Sequence, residues 1–314
     1  MSIRIAGTGR ALPEYVRSND ELATLVDTND EWIRERTGIA ARRIAGEGET
    51  VASLASAACE RALKDAGKNA EDIDLIIVSS CSAEQLLPCM ACQVQKNIGA
   101  TKAVCYDLNA ACSGFLFALN SAYAYINAGL CKNALIVGSE VLSKLVDWSD
   151  RGTCILFGDG AGAVYVEGCE EGRGMQSIAW GSDGMKGDVL ACNTRDGFIT
   201  MDGKAVYKFA TRQVPECIEE ALAKAELTAA DIDHYVLHQA NIRILESIAK
   251  RLSVPMEKVP HNLEHYGNMS SATIPVLLDE MHKCGTMKRG QKLVLSGFGA
   301  GLTYGACVMT WEMD

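Results

Sequence analysis

The sequence lacks any long hydrophobic run, and it has little proline and no excess of positive charge. No segment of its 314 residues approaches the run of about 20 apolar residues that spans a bilayer. Residues 1–7 (MSIRIAG) also lack the uninterrupted apolar core of a signal peptide. These absences argue against membrane insertion and export. The formal net charge of −10 argues against general binding to nucleic acid, whose phosphates attract basic surfaces.

Cysteine is plentiful, but its 13 residues do not have the spacing of a disulfide scaffold. They are scattered through apolar segments of a long chain, so we expect a reducing compartment and a cytoplasmic protein. Cys89 and Cys92 form a C-x-x-C pair without a second pair or a nearby histidine. We therefore favour a structural role over a zinc site or a redox dithiol, and we expect no metal.

The chain has only six prolines, and 48% of its residues are hydrophobic, so it can bury a large core. Strand-like runs alternate with helical ones, which is typical of an α/β protein with largely parallel sheets. We expect strands at residues 3–6, 75–79, 104–107 and 134–137. We expect helices over about residues 50–66, from residue 90 and after residue 112.

One segment, in which a helix leads through an acidic turn to an apolar strand, occurs twice with the same spacing. Residues 60–66 (ERALKDA) lead to 72–78 (DIDLIIV), and residues 219–225 (EEALAKA) lead to 231–237 (DIDHYVL). We therefore predict two related halves, residues 1–170 and 171–314. If the halves pack about a pseudo-twofold axis, equivalent strand ends converge on one central cavity.

A second pair of similar segments is rich in glycine. Residues 158–164 (GDGAGAV) resemble residues 297–303 (GFGAGLT), and each segment precedes a β-rich run. The polar, glycine-rich residues 167–174 lie between the two proposed halves and are the expected boundary.

Cys112 lies where an apolar strand turns into an alanine-rich helix, in residues 109–115 (NAACSGF). Unpaired backbone N–H groups and the positive end of the helix dipole would point at its sulfur. We expect this position to lower the pKa of the thiol and to favour the thiolate. The alternative is a buried structural cysteine, since free cysteine is among the most buried residue types.

Histidine is scarce, and three of the five residues are candidates for a site. His238 follows an apolar strand, whereas His261 and His265 precede Asn268 and a helix expected over residues 270–281. His238 could instead be a structural histidine whose polar atoms are hydrogen-bonded at the end of a strand. Asn268 could be only the cap of the following helix. Three strand-to-helix junctions with Cys112, His238 and Asn268 would supply a nucleophile and two neutral hydrogen-bond donors.

Four segments of the chain resemble β-ketoacyl-acyl-carrier-protein synthase III. They are residues 30–39 (DEWIRERTGI), 109–115 (NAACSGF), 238–241 (HQAN) and 266–275 (YGNMSSATIP). The resemblance runs from the first strand to residues 302–305 (LTYG) and covers essentially the whole chain. It implies an α/β protein with the thiolase fold, in which two related halves form a five-layered αβαβα arrangement, and a homodimer.

The resemblance implies that Cys112 accepts the acyl group of an acyl-CoA primer. His238 and Asn268 would stabilise the enolate that forms when malonyl-acyl-carrier protein loses carbon dioxide. The backbone N–H groups of Cys112 and Ala300 would hold the tetrahedral oxyanion; glycine is usual in the family where Ala300 stands. The product would be 3-oxoacyl-acyl-carrier protein, which initiates fatty-acid synthesis.

The resemblance also implies which residues contact the substrates. CoA is a substrate, and we expect no cofactor, because residues 297–301 lack the spacing of a dinucleotide-binding loop. The CoA cleft would contain an aromatic ring for adenine and arginines for phosphate, in the set Thr28, Trp32, Arg36, Arg151 and Asn241. An acidic carrier protein would dock on Lys208, Arg243, Lys250 and Arg251.

Leu87 matches a position, often phenylalanine in the family, that closes the acyl pocket of the partner chain. Its smaller side chain is expected to admit longer or branched primers. The primer and the pathway stay open at this point.

Three other hypotheses stay open. Another thiolase-fold acyltransferase or a polyketide-type condensing enzyme would keep the cysteine but use a different acceptor or primer. An inactive module that binds acyl-CoA or carrier protein belongs to a different class, and the joint presence of Cys112, His238 and Asn268 argues against it. A cysteine hydrolase would need an oriented histidine base, and no protease signature surrounds Cys112.

Overall fold

A computed structural model describes residues 1–193 and 197–314. The strands within these residues are β1 (Ser2–Ala11), β2 (Val16–Ser18), β3 (Ala41–Arg43), β4 (Leu75–Ser79), β5 (Val104–Leu108), β6 (Asn133–Val141), β7 (Asp159–Cys169), β8 (Met175–Ser182), β9 (Leu190–Cys192), β10 (Ile199–Met201), β11 (His234–Leu237), β12 (Lys292–Gly299) and β13 (Thr303–Thr310). The α-helices are α1 (Asn19–Ala23), α2 (Asp30–Thr37), α3 (Val51–Ala66), α4 (Met90–Ile98), α5 (Gly114–Asn127), α6 (Arg151–Cys154), α7 (Gly203–Lys224), α8 (Ile242–Leu252), α9 (Leu263–Tyr266) and α10 (Thr273–Lys283).

Local sequence explains these elements well. β4 is a run of apolar, mostly β-branched residues that is buried along its whole length between β5 and β6. α3 begins at a capping box between Thr50 and Ser53, and it ends at Gly67, whose φ of 63° suits a residue without a Cβ. The expected strands and helices before residue 141 are confirmed, and several extend further than predicted.

Two mixed sheets form the centre of the molecule. The first has the strand order β1-β7-β6-β4-β5, with β4 parallel to β5 and β6, and with β7 antiparallel to β1 and β6. The second has the order β11-β12-β13-β8, in which only β11 and β12 are parallel. The expectation of largely parallel sheets is therefore wrong. Short connections, such as residues 300–302 between β12 and β13, produce antiparallel neighbours.

Helices form three layers around the two sheets. α3 packs on β1, β6 and β7 with α4 beside it, while α7 and α8 lie together, with α7 on β8, β12 and β13. α5 and α10 lie between the sheets and contact strands of both. This is the five-layered αβαβα arrangement of the thiolase fold. One apolar cluster joins the layers and includes Ile3, Phe115, Ile274 and Leu295.

The predicted helix–turn–strand repeat is confirmed. α3, a 3₁₀ turn at Ala70–Asp72 and β4 follow the same order as α7, a 3₁₀ turn at Ala229–Asp231 and β11. Asp74 accepts the backbone N–H of Lys132 at 2.7 Å, and Asp233 accepts that of Lys292 at 2.8 Å. The same contact thus ties each copy to its neighbouring strand.

The two similar glycine-rich segments do not form a structural repeat. Residues 159–164 lie within β7, whereas residues 297–303 cross the end of β12, the turn after it and the first residue of β13. The strands of the first sheet lie between Ser2 and Cys169, and those of the second lie between Met175 and Thr310.

A further repeat, which the sequence analysis missed, lies at the start of the two central helices. A 3₁₀ turn at Ala111–Ser113 precedes α5, and a 3₁₀ turn at Ser270–Ala272 precedes α10. The first residue of each turn has φ of 47°, which is unusual for residues other than glycine. Asn109 Oδ1 accepts the N–H of Ala111, and Asn268 Oδ1 accepts that of Ser270. Asn109 and Asn268 are therefore equivalent positions.

Among the helices of the described residues, none combines the length and the apolar composition that a bilayer crossing requires.

Candidate active site

Cys112 lies in the 3₁₀ turn between β5 and α5, packed against the turn that joins β12 and β13. The hydroxyl of Thr303 contacts the carbonyl oxygen of Ala110 at 3.0 Å and the hydroxyl of Ser113 at 2.8 Å. At the end of β12, a Cβ on Gly299 would lie 2.5 Å from the backbone nitrogen of Cys112. Only glycine allows the two turns to approach this closely.

Two cavities meet at Cys112. The larger, of about 600 Å³, has a mainly apolar wall and also contacts Ala300. The smaller, of about 120 Å³, is lined by His238 and Asn268. The structure therefore brings the three predicted catalytic side chains to one cavity and places Ala300 beside the same cysteine. The backbone N–H of Ala300 makes no hydrogen bond within the described residues.

Asn268 does not lie at a strand-to-helix junction, so this prediction is wrong for Asn268. It lies between α9 and the turn before α10, where it forms a β-bridge with Phe157. Its Oδ1 accepts the N–H of Ser270 at 2.8 Å, so Nδ2 is the free end of the amide. Nδ2 has no partner in the described residues and is not sealed from solvent, so it is available as a donor in the cavity.

His238 follows β11 and is 2% exposed. Its ring packs edge-on against Phe298, with centroids 5.4 Å apart, and its Nδ1 lies 2.7 Å from the Thr273 hydroxyl oxygen. Burial lowers the pKa of His238 to about 3, so the ring is neutral at pH 7. Nε2 has no partner in the described residues and is not sealed from solvent. His261 and His265 line neither cavity.

The thiol of Cys112 differs from expectation. Burial raises its pKa to about 12, and the Ser270 hydroxyl and the cysteine's own N–H offset this only in part. The nearby Glu140 carboxyl raises it further. The expectation of a pKa lowered by the helix terminus is therefore wrong. Cys112 lies in the 3₁₀ turn before α5, which begins two residues later at Gly114, and burial is the largest cause of the raised pKa.

A buried carboxyl group behind the site escaped the sequence analysis. Glu140, near the end of β6, accepts hydrogen bonds from the Ser82 hydroxyl at 2.6 Å, the Ser271 hydroxyl at 2.9 Å and the Cys81 N–H at 3.1 Å. Burial raises the pKa of Glu140. Ser271 belongs to the turn after Asn268, so this carboxyl joins the first sheet to the turn before α10. The available signal was an acidic residue at the end of an otherwise apolar strand.

The C-x-x-C pair lies at the start of α4, with Cys89 at the N-cap, and lines neither cavity. A hydrogen bond between the two thiols raises the pKa of Cys92. Within residues 1–193 and 197–314, no group of three or more His, Cys, Asp or Glu side chains could hold a metal ion. That the protein needs no metal and no cofactor stays a prediction.

Comparison with known proteins agrees with this geometry. Residues 106–184 match the family model described as 3-oxoacyl-[acyl-carrier-protein (ACP)] synthase III, and residues 222–311 match the model of its C-terminal part. The β-ketoacyl-[acyl-carrier-protein] synthase III of Clostridium acetobutylicum is 47% identical over 323 aligned residues, which cover 99% of each chain. The chain belongs to the β-ketoacyl-acyl-carrier-protein synthase III family. It is therefore an acyltransferase of the condensing type.

Solved structures extend this likeness to three dimensions. The crystal structure of 3-oxoacyl-[acyl-carrier-protein] synthase III from Aquifex aeolicus VF5 is similar with a TM-score of 0.96 and 41% identity, covering 98% of this chain and 100% of that one. A priming β-ketosynthase from the R1128 polyketide biosynthetic pathway is similar with a TM-score of 0.95 and 35% identity, covering 99% and 96%.

The predicted CoA residues of this synthase III chain gather at one rim. The guanidinium carbons of Arg151 and Arg36 lie 4.9 and 5.6 Å from the centre of the Trp32 ring. Asn241 donates through Nδ2 to the carbonyl oxygen of Arg36 at 3.0 Å, and it also lines the smaller cavity. Thr28 precedes α2, and its buried hydroxyl has no partner in the described residues. Contacts of Arg36 thus link the Trp32 ring to Asn241 at the smaller cavity.

The predicted docking residues lie on two neighbouring helices, α7 and α8, and are Lys208, Arg243, Lys250 and Arg251. Two of them already face a carboxylate. Arg243 lies 3.6 Å from Glu35, and Arg251 lies 3.1 Å from Glu216. Lys208 and Lys250 are exposed and form no ion pair within the described part of the chain.

Leu87 lines neither cavity of its own chain and is 85% exposed. Its predicted place in the acyl pocket of a partner chain stays a prediction.

Proposed function

We propose that the protein condenses an acyl-CoA primer with malonyl-acyl-carrier protein, with loss of carbon dioxide, to give 3-oxoacyl-acyl-carrier protein and initiate fatty-acid synthesis. One observation carries the proposal: a thiol and two neutral side-chain donors, from Cys112, His238 and Asn268, share one cavity. A second, apolar cavity opens at the same thiol, and its size suits an acyl chain.

In the first half-reaction, Cys112 Sγ attacks the thioester carbonyl carbon of acyl-CoA. The bond between the acyl carbon and CoA sulfur breaks, and the proton of the neutral thiol ends on the departing CoA. The backbone N–H groups of Cys112 and Ala300 hold the tetrahedral oxyanion. The acyl chain lies in the larger cavity, whose wall includes Leu142, Phe157 and Leu190.

In the second half-reaction, the bond from the malonyl carboxylate to C2 breaks, and its electron pair forms the thioester enolate. Nε2 of His238 and Nδ2 of Asn268 donate hydrogen bonds to the enolate oxygen. The enolate carbon attacks the acyl thioester, and the bond to Cys112 Sγ breaks. A proton from water restores the thiol.

The rim of Trp32, Arg36 and Arg151 is our proposed site for the CoA nucleotide, because aromatic stacking and guanidinium pairing suit adenine and phosphate. The exposed cations of α7 and α8 are our proposed docking surface for an acidic carrier protein. On a protein with net charge −10, such a local basic surface steers an acidic partner to one face.

We also propose a cytoplasmic homodimer with a boundary between its halves near residue 170. β5 is an edge strand of the first sheet, and Val104 on it is 65% exposed. The apolar side chains of Leu86 and Leu87 are also exposed. Unpaired edges with exposed apolar side chains are sites of association, and pairing two β5 edges about a twofold axis would cover them. All 13 cysteines are free thiols, which suits a reducing compartment.

Mass spectrometry of the protein mixed with acyl-CoA tests the function. We expect one acyl mass on the peptide with Cys112 and, after malonyl-acyl-carrier protein is added, transfer into a 3-oxoacyl product. Cys112→Ser should lose both, whereas Cys284→Ser, at an exposed thiol outside both cavities, should keep both. Acylation elsewhere, or bound acyl-CoA without transfer, would contradict the assignment. A primer panel from acetyl-CoA to decanoyl-CoA then defines specificity.

A further inference from the structure

The buried contact between His238 and Thr273 determines which ring nitrogen can act in the cavity. The ring of His238 is neutral at pH 7 and therefore carries a single N–H, on either Nδ1 or Nε2. Nδ1 makes one hydrogen bond, to the Thr273 hydroxyl oxygen at 2.7 Å, and Nε2 faces the cavity without a partner. An enolate oxygen needs a donor, so only the tautomer with the proton on Nε2 suits the proposed chemistry.

The hydroxyl group of Thr273 has one hydrogen and two nearby acceptors. It lies 2.9 Å from the carbonyl oxygen of Ser270 and 2.7 Å from Nδ1 of His238. The carbonyl oxygen of Ser270 already accepts the backbone N–H of Thr273, whereas Nδ1 has no other donor within the described residues. Giving the hydrogen to Nδ1 therefore satisfies both acceptors, and the pair lies in the interior, with Thr273 fully buried and His238 2% exposed.

We propose that the hydroxyl of Thr273 donates its hydrogen to Nδ1 of His238 and thereby fixes the neutral imidazole in the tautomer whose proton is on Nε2. Thr273 is thus a positioning residue: it contacts no reacting atom and acts through His238. This inference rests on the proposed function and adds to it the source of the donor.

The same turn serves both donors of the cavity. The N–H of Ser270 holds Oδ1 of Asn268 and turns its NH₂ group toward the cavity, and Thr273, three residues later, sets the proton of His238. One short segment, from Asn268 to the first residue of α10, therefore orients two hydrogen-bond donors. The reverse arrangement, with Nδ1 donating to Thr273, would leave a lone pair of Nε2 facing the enolate oxygen.

The test compares Thr273→Val, which keeps the side-chain shape, with Thr273→Ser, which keeps the hydroxyl. Long-range ¹H–¹⁵N spectra of protein labelled in histidine report which ring nitrogen is protonated, and loss of the signal in His238→Ala assigns the resonance. We expect the wild type and Thr273→Ser to carry the proton on Nε2, and Thr273→Val to lose this preference.

Kinetics of the two half-reactions give the second readout. In Thr273→Val we expect malonyl decarboxylation to fall by about 10- to 100-fold, approaching the loss of one oxyanion donor, while acylation of Cys112 stays within about twofold. Thr273→Ser should recover most of the rate. In a His238→Ala background, Thr273→Val should cause no further loss, since the two residues act as one unit.

A wild-type spectrum with the proton on Nδ1, or normal decarboxylation by Thr273→Val, would overturn the inference. An equal loss of acylation and decarboxylation would show a structural role instead and would overturn it as well. Failure of the proposed function is a separate result: the wild type would then not decarboxylate malonyl-acyl-carrier protein, whatever the tautomer in the spectrum.

Discussion

At the scale of single residues, burial sets the protonation states of the site. Loss of hydration disfavours every charged form, so it raises the pKa of the Cys112 thiol and lowers the pKa of the His238 ring. Both groups are therefore neutral at pH 7. A pKa of about 3 makes His238 a weak proton acceptor, so the ring suits a hydrogen-bond donor better than a general base. The neutral thiol has to lose its proton as the thioester forms.

Alkylation of Cys112 by iodoacetamide should reflect this burial. With a pKa of about 12, the thiolate fraction rises about tenfold per pH unit between pH 7 and pH 10, and the rate should follow it without a plateau. Mass spectrometry of the peptide with Cys112 measures the rate, and Cys112→Ser identifies its signal. A plateau below pH 9 would mean that the helix terminus stabilises the thiolate more than burial opposes it.

At the scale of elements, the site is built from two equivalent turns. The turns before α5 and α10 each begin with a residue at φ of 47°, held by an asparagine two residues earlier. One turn carries the proposed nucleophile, and the asparagine of the other supplies a proposed donor. Asn109 and Asn268 thus make the same contact within their turns, while Asn268 also lines the smaller cavity.

On α8, Arg243 and Arg251 form ion pairs, whereas Lys250 forms none within the described residues. Lys250 is therefore a better position than Arg243 for testing carrier-protein docking. Arg243→Glu would place two carboxylates together, because Arg243 faces Glu35 on α2, the helix that also carries Trp32. Such a change would disturb the proposed CoA rim as well as the docking surface. Lys250 is exposed and free of such a partner within the described residues, so it isolates the charge of the surface.

Lys250→Glu should raise the KM for malonyl-acyl-carrier protein several-fold and leave the KM for acyl-CoA within about twofold. Salt should weaken the wild-type interaction, because exposed charges are screened over about 10 Å at 0.1 M ionic strength. Steady-state kinetics with each substrate varied measure both effects. Lys64→Glu, the same charge change on α3 in the opposite outer layer, is the matched control. Equal effects of both variants would exclude a specific docking role for Lys250.

At the scale of the whole molecule, the first sheet ends in an open edge. β5 pairs only with β4, and its outer backbone groups have no neighbouring strand within the described residues. The exposed Leu86 and Leu87 belong to the segment between β4 and α4. An edge of this kind favours pairing with a second copy.

Val104→Lys should weaken the proposed homodimer, because it would bring a positive charge from each chain into the apolar interface proposed along β5. Light scattering of the wild type should give twice the chain mass of 33.7 kDa, and the variant should shift toward the monomer at low concentration. Val16→Lys changes another partly exposed valine, on the separate β2–β3 ribbon, and should leave the mass unchanged. A monomeric wild type would contradict the homodimer.

Local sequence patterns were sufficient to predict the elements of the first half, the internal repeat, the turn that carries Cys112 and the family. Apolar periodicity, helix caps and glycines act over a few residues, which explains why β4 and the start of α4 are found where predicted. The family motifs are equally local, and they indicated His238 and Asn268 before any geometry was known.

Packing between distant segments sets the directions of the strands, the position of Asn268 and the protonation of the groups in the site. The pKa of Cys112 depends on how completely the β12–β13 turn and the cavity walls exclude water, and no local pattern encodes that exclusion. The contact of His238 with Thr273 and that of Glu140 with Ser271 join residues 35 and 131 positions apart. Such contacts form only when separate elements pack together, so their chemistry is a property of the folded chain.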